Sequence, residues 1–257
     1  MLISPLFPPI LIEEEQHGDL PGKRVQPERS GPAFDGRPEK GKVTGMKNFV
    51  ITIARGYGSG GRSIGRMLAR ELNVSFYNRE ILRLASEKSG INESFFANAD
   101  EKIRNTVLFR AARGAYGGEL IPPDSDDFVT NVNLFNFQAK VIRELAREES
   151  CVIVGRCANY ILKDLDNVLR LYVYAPFDYC VARARELNPA LSVEEVRKLV
   201  RRTDKRRADY YQYFTGKNWR DVEYYDLCLN SSRFAWNENG WEKCVSLVRS
   251  YLNSMMG

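Results

Sequence analysis

The residues most able to do chemistry lie together at positions 51–63, ITIARGYGSGGRS. A β-branched run meets glycines at 56, 58, 60 and 61, and the cluster opens into a helical pattern of Ile64, Met67, Leu68 and Leu72. Read as G-x-x-x-x-G-[K/R]-[S/T], residues 56–63 form a phosphate-binding loop in which arginine stands for the usual lysine. Gly56, Gly58, Ser59, Gly60 and Gly61 would turn backbone N–H groups around phosphate oxygens without Cβ clashes. The helix start beyond them adds orphan donors and partial positive charge. Arg62 would reach the terminal phosphates as a fork of donors, and the Ser63 hydroxyl would ligate Mg²⁺. These letters also satisfy the dinucleotide fingerprint G-x-G-x-x-G at Gly56, Gly58 and Gly61. That reading wants an acid at the end of the second strand, where Asn78 stands, with Glu80 two places later. The loop therefore reads as a triphosphate site.

A second concentration of charge lies at 197–207, with seven basic side chains against one acid, Asp204. Arg202 and Arg206 are four apart on one helical face, where like charges repel by a few tenths of a kcal/mol. An anion between them would relieve that repulsion. With a phosphate loop in the same chain, the segment reads as a lid. Its Arg202, Arg206 and Arg207 would neutralise a migrating phosphoryl group together with Arg62. The plainer alternative is a solvated basic face. The nearby Tyr210, Tyr211, Tyr213, Phe214 and Trp219 are expected to pack in the core rather than stack a base.

The third strand ends in Gly155, Arg156 and Cys157. Residues past the carboxyl ends of parallel strands face the ligand, so Arg156 would hold an acceptor phosphate, unless it forms a surface ion pair. No carboxylate ends this strand, which leaves Mg²⁺ to Ser63, phosphate oxygens and water.

Composition narrows the chemistry further. The only histidine is His17, so residues 46–257 hold no Ser-His-Asp triad, Cys-His pair or histidine metal site. Phosphoryl transfer fits that restriction, because it needs positioning and positive charge more than proton shuttling. The five cysteines show no C-x-x-C spacing and read as small buried hydrophobes of a reducing cytoplasm. No run approaches the ~18 apolar residues of a membrane span. Residues 1–45 hold seven of the eleven prolines and six of the nineteen glycines. They read as a disordered leader, and Met46 as an alternative start. From Met46 on, 32 basic residues face 26 acidic ones, a net +6. Such an excess suits a small nucleotide without calling for nucleic acid or a membrane.

Five strands must position these groups, near 49–54, 74–77, 151–154, 168–174 and 225–230. Helices are expected at 62–73, 79–89, 92–113, 128–149, 157–163, 177–187, 192–213 and 239–254, with a loop at 114–127. Gly90 is placed to end one helix, and Ser192 with Glu195 to cap another. Apolar strands alternating with helices indicate a parallel sheet covered on both faces, in one α/β domain over 46–257. Residues 79–149 would form a helical insertion on the substrate side, or merely a helical cover for the sheet, and 197–219 the lid.

Taken together, ITIARGYGSGGRSIG (51–65), FYNREI (76–81), VIVGRC (152–157), DKRR (204–207) and YDLCLN (225–230) resemble the cytidylate kinase-like family of P-loop nucleoside monophosphate kinases. The resemblance runs from about Met46 to the C-terminus. It implies a three-layer fold with a five-stranded parallel sheet in the order 2-3-1-4-5 and a helical lid. It also implies ATP with Mg²⁺ on the loop and a monophosphate such as CMP as acceptor. Asp204 and Arg207 match the nucleotide-binding D-x-x-R pair of the lid. Two positions depart: Cys157 stands where cytidylate kinases carry a cytidine-binding aspartate, and Asn78 where relatives often carry aspartate. Asn78 remains a candidate acceptor ligand beside Arg156. The departures keep open a protein that binds nucleotide without turnover, or a kinase of another small molecule.

Overall fold

The computed structural model describes residues 48–102, 120, 125, 129–235 and 237–256. Five strands, β1 (Val50–Arg55), β2 (Ser75–Tyr77), β3 (Cys151–Val154), β4 (Val168–Tyr174) and β5 (Leu227–Asn230), form one sheet. Their order is β2-β3-β1-β4-β5, and every pairing is parallel. The expected topology is present. The helices are α1 (Gly61–Glu71), α2 (Glu80–Ser89), α3 (Glu93–Lys102), α4 (Asn131–Glu148), α5 (Ala158–Ile161), α6 (Phe177–Leu187), α7 (Val193–Thr215) and α8 (Glu238–Met256). The expected leader, most of the loop at 114–127 and the continuation of the third helix past Lys102 lie outside the described residues.

Alternation along the strands builds the layers. Ile51 and Ile53 of β1, Val152 and Val154 of β3, and Leu169, Leu171 and Val173 of β4 pack with Ile64 and Leu68 of α1 and Val245 and Val248 of α8. Their neighbours Val50, Ala54, Cys151, Ile153 and Tyr172 face the other way, onto residues of α2, α4, α5 and α7. Most of these side chains are essentially fully buried, at roughly 1.5–3 kcal/mol of transfer free energy for each large aliphatic one. A period-two pattern with both phases apolar can only be covered by helices on both faces.

Local signals fix the helix ends. Ser192 accepts from the Glu195 N–H while the Glu195 carboxylate accepts from Ser192, a complete capping box opening α7. Gly90 closes α2 at φ 72°. The cysteines are all free, four of them buried and Cys228 partly so. Among the described residues no helix is long and apolar enough to cross a membrane. The aromatic run beside the basic helix is core: Phe214 stacks on Phe135 at 4.1 Å, and the Tyr225 hydroxyl donates to the carbonyl of Trp219 at 2.7 Å.

Candidate active site

β1 delivers the chain into the loop at the carboxyl edge of the sheet, and α1 leaves it. Gly58 and Gly60 both adopt the left-handed conformation, at φ 80° and 79°. A Cβ on Gly58 would lie 2.4 Å from the carbonyl oxygen of Cys180 in α6, so only glycine fits there. The loop is held from behind. The Ser59 hydroxyl donates to the carbonyls of Gly56 (2.9 Å) and Val173 (3.0 Å), and the Ser59 N–H bonds Gly56. Ser59 thus braces the loop and has no donor left to offer a ligand. The Ser231 hydroxyl, at the end of β5, bonds the carbonyl of Ser59 at 2.7 Å and that of Tyr174 at 3.2 Å.

The front of the loop is different. Among the described residues the N–H groups of Gly58, Gly60, Gly61 and Ser63 have no protein acceptor, and neither has the Ser63 hydroxyl. These donors stand at the positive end of α1, an arrangement that takes an anion. Arg62 is half-buried at the same turn. No group of three or more acidic, cysteine or histidine side chains stands ready for a metal among the described residues. The Ser63 hydroxyl, without a protein acceptor among the described residues, is the kind of oxygen that fits a Mg²⁺ ion.

Two of the expected lid residues meet the loop directly. Oδ1 of Asp204 accepts from the Tyr57 N–H at 2.7 Å. Arg207 donates to the carbonyl of Arg55 at 3.1 Å and to Oδ1 of Asp204 at 3.3 Å, with its guanidinium 5.8 Å from the Tyr57 ring centre. Arg220 approaches Oδ2 of Asp204 at 3.8 Å. Burial raises the Asp204 carboxyl above its ordinary 3.8, against the opposing pull of Arg207, the Tyr57 N–H, Arg220 and Arg55. Arg206 is half-buried, whereas Arg202 lies exposed on the outer side of α7 and makes no ion pair among the described residues.

Arg156 follows an unusual turn at the end of β3. Gly155, Arg156 and Cys157 take φ values of 82°, 59° and 56° in succession, which costs roughly 1–2 kcal/mol for each of the two non-glycine residues. Such strain concentrates where a side chain must be aimed. Gly155 is favoured by its left-handed φ of 82°, and the end of the Arg55 side chain lies against it, with Nη1 2.3 Å from where a Cβ would stand. Cys157 is buried in the core cluster with Tyr211 and Tyr225. Asn78 follows β2, the outer strand, where its N–H bonds the Glu80 carboxylate at 2.7 Å; among the described residues no hydrogen bond joins it to the loop.

Arg55, Arg220 and Ser231 adjoin the loop or its partner Asp204 and are passed over by motif reading. Applying the strand-end rule used for Arg156 to β1 and β5 points to Arg55 and Ser231; nothing local points to Arg220.

A family model described as cytidylate kinase-like matches residues 50–233, from β1 to just past β5. The chain belongs to the cytidylate kinase-like family. It is 25% identical over 218 residues to the cytidylate kinase of Methanopyrus kandleri, covering 81% of this chain and 95% of that one. Among solved structures it is similar to an uncharacterized protein from Eubacterium ventriosum, at TM-score 0.56 and 22% identity over 80% of this chain and 99% of that one. A shikimate kinase from Bacteroides thetaiotaomicron matches at TM-score 0.43 and 16% identity over 80% of this chain and 98% of that one, a likeness too distant to carry an argument. Family and loop together make this a kinase-like protein with a P-loop nucleotide fold.

Proposed function

We propose that this chain transfers the γ-phosphoryl group of ATP to a nucleoside monophosphate such as CMP, giving ADP and the diphosphate. The observation that carries the reading is the row of acceptor-less N–H groups at Gly58, Gly60, Gly61 and Ser63, with Asp204 and Arg207 closing over the loop's entry. The triphosphate would lie along that row. Arg62, Arg206 and Arg207, with Arg202 where closure brings it in, would neutralise charge on the transferring group. Arg156 would hold the acceptor's phosphate, with Asp204 and Asn78 as further acceptor ligands. An ionised phosphate is already a nucleophile, so the reaction needs no general base, in keeping with a site that has no histidine. Mg²⁺, when bound, supplies charge neutralisation between the phosphates, and Ser63 would be its protein ligand.

We further propose that residues 46–257 act as one domain, with 79–149 on the acceptor side and 197–219 as the lid. The test is ADP release with ATP, Mg²⁺ and each ribo- and deoxyribonucleoside monophosphate, with hydroxyl acceptors such as shikimate in parallel. The expected result is turnover that depends on one or more monophosphates. ATP binding with no turnover on any of them would favour a nucleotide sensor and defeat the reading.

A further inference from the structure

A cleft of about 380 Å³ lies between α5, α7 and the segment 217–226. None of its lining residues belongs to the phosphate loop or to the loop's partners Asp204 and Arg207. Its volume suits a small organic molecule.

The floor is polar and incompletely bonded. Asn159 and Tyr211 line it at 5% and 3% exposure, and the Asn159 carboxamide donates to the Tyr211 hydroxyl at 2.9 Å. Among the described residues the Asn159 carboxamide oxygen and the Tyr211 hydroxyl proton have no further partner. Turning the amide over leaves its two N–H bonds unpartnered instead, so hydrogen-bonding capacity stays open in either orientation. Buried groups are costly to leave in that condition, and the cleft is where a partner enters.

The walls and rim supply different chemistry. Tyr160 and Tyr224 are half-buried and offer ring surface. The Lys163 ammonium lies 5.8 Å from the first ring centre, and that of Lys217 lies 5.6 Å from the second. Lys163 pairs with Asp164 at 3.1 Å, whereas Lys217 is exposed and makes no ion pair among the described residues. Arg170 is engaged by the carbonyls of Leu162, Lys163 and Leu165 and by Asp226. That pair cancels, so two lysines face one carboxylate, Glu223.

We propose that this cleft binds a small planar ring with hydrogen-bonding groups at one edge and an anionic group at the other. The edge meets Asn159 and Tyr211, the ring lies against Tyr160 and Tyr224, and the anion takes Lys217. Nucleoside monophosphates and phenolic carboxylates share that chemistry. The inference goes beyond the phosphotransferase reading and stands independently of it.

Calorimetric titration of the full chain with 4-hydroxybenzoate and with CMP, repeated on Lys217→Met, Tyr224→Leu and Glu223→Gln, tests this, and crystals soaked in each probe locate the ligand. The three side chains are exposed or half-buried, so the variants should fold, which thermal melting checks. At least one probe should bind the wild type with one equivalent in the cleft. Lys217→Met should weaken that binding about tenfold, the scale of losing a charge-assisted contact. Tyr224→Leu should weaken it about threefold, and Glu223→Gln should tighten it about twofold by removing a like charge. CMP held at the proposed acceptor site adds an equivalent that these variants leave unchanged, so failure there and failure here are told apart. Binding of CMP alone assigns the cleft to nucleotides, and binding of 4-hydroxybenzoate alone to phenolic carboxylates. Neither probe in the cleft, water alone on Asn159 and Tyr211, or affinities unchanged in Lys217→Met and Tyr224→Leu overturns the proposal.

Discussion

The main-chain N–H of Tyr57 donates to the carboxylate of Asp204 across 147 residues of sequence. One turn further along α7, Arg207 holds the carbonyl of Arg55. The two side chains bracket the peptide units entering the phosphate loop and tie the middle of α7 to it. Below them Tyr210, Tyr211 and Phe214 are buried in the core.

The tie makes stability depend on pH. Asp204→Asn keeps an acceptor oxygen for Tyr57 and removes the charge. Because burial raises the Asp204 carboxyl above its ordinary 3.8, the native state holds this proton more tightly than the unfolded chain does. Its contribution is therefore most favourable at low pH and is lost as pH rises through the folded value. Wild type should lose stability relative to Asp204→Asn across the acidic range above 3.8. Urea unfolding of both proteins over that range measures the difference, and parallel curves would mean an unshifted carboxyl.

Two left-handed glycines separate backbone strain from crowding. Gly90 at φ 72° has nothing within 4 Å of its Cβ position, whereas Gly58 at φ 80° faces the Cys180 carbonyl at 2.4 Å. Gly90→Ala should cost about 1 kcal/mol from conformation alone. Gly58→Ala should cost about 2 kcal/mol or more and also weaken nucleotide binding, since the loop must shift. Thermal melting with and without Mg·ATP compares them; equal costs would mean that the α6 contact does not constrain the loop.

Phe214 anchors α7 below the site. It stacks on Phe135 of α4 at 4.1 Å and meets Tyr210 edge-on at 4.7 Å. Phe214→Ala should destabilise the protein by about 3–5 kcal/mol, read from chemical denaturation. A cost below 1 kcal/mol, near that of an ordinary surface change, would show that α7 is not fastened through this ring.

What could be read from the sequence follows the range of the forces involved. The loop from Gly56 to Ser63, the capping box at Ser192 and Glu195, and the end of α2 at Gly90 are set by residues within a turn of one another, so spacing reveals them. The sheet order came from the resemblance, since local patterning gives strands without saying which pair. The bond from Tyr57 to Asp204 and the approach of Arg220 join distant segments through side-chain reach alone. The motif marked Asp204 and Arg207 but not their partners. Every loop position looks equivalent in sequence, so spacing does not show that the Ser59 hydroxyl turns inward onto the carbonyl of Val173.

Arg62 tests the chemistry itself. It occupies the lysine position of the loop, at the first turn of α1, where Gly61 and Ser63 offer their N–H groups to an anion. As transfer proceeds, negative charge builds on the oxygen that leaves with ADP, so a cation at the loop acts more strongly on the transition state than on bound ATP. Arg62→Ala should therefore lower kcat by about 10²–10³-fold, the scale of losing one preorganised donor, with a smaller change in the KM for ATP. Arg62→Lys keeps the charge of the usual loop and should recover most of the rate. ADP release under saturating ATP and acceptor gives both numbers. If Arg62→Ala turns over at the wild-type rate, the arginine is not substituting for the loop lysine, and the charge that drives transfer must come from α7.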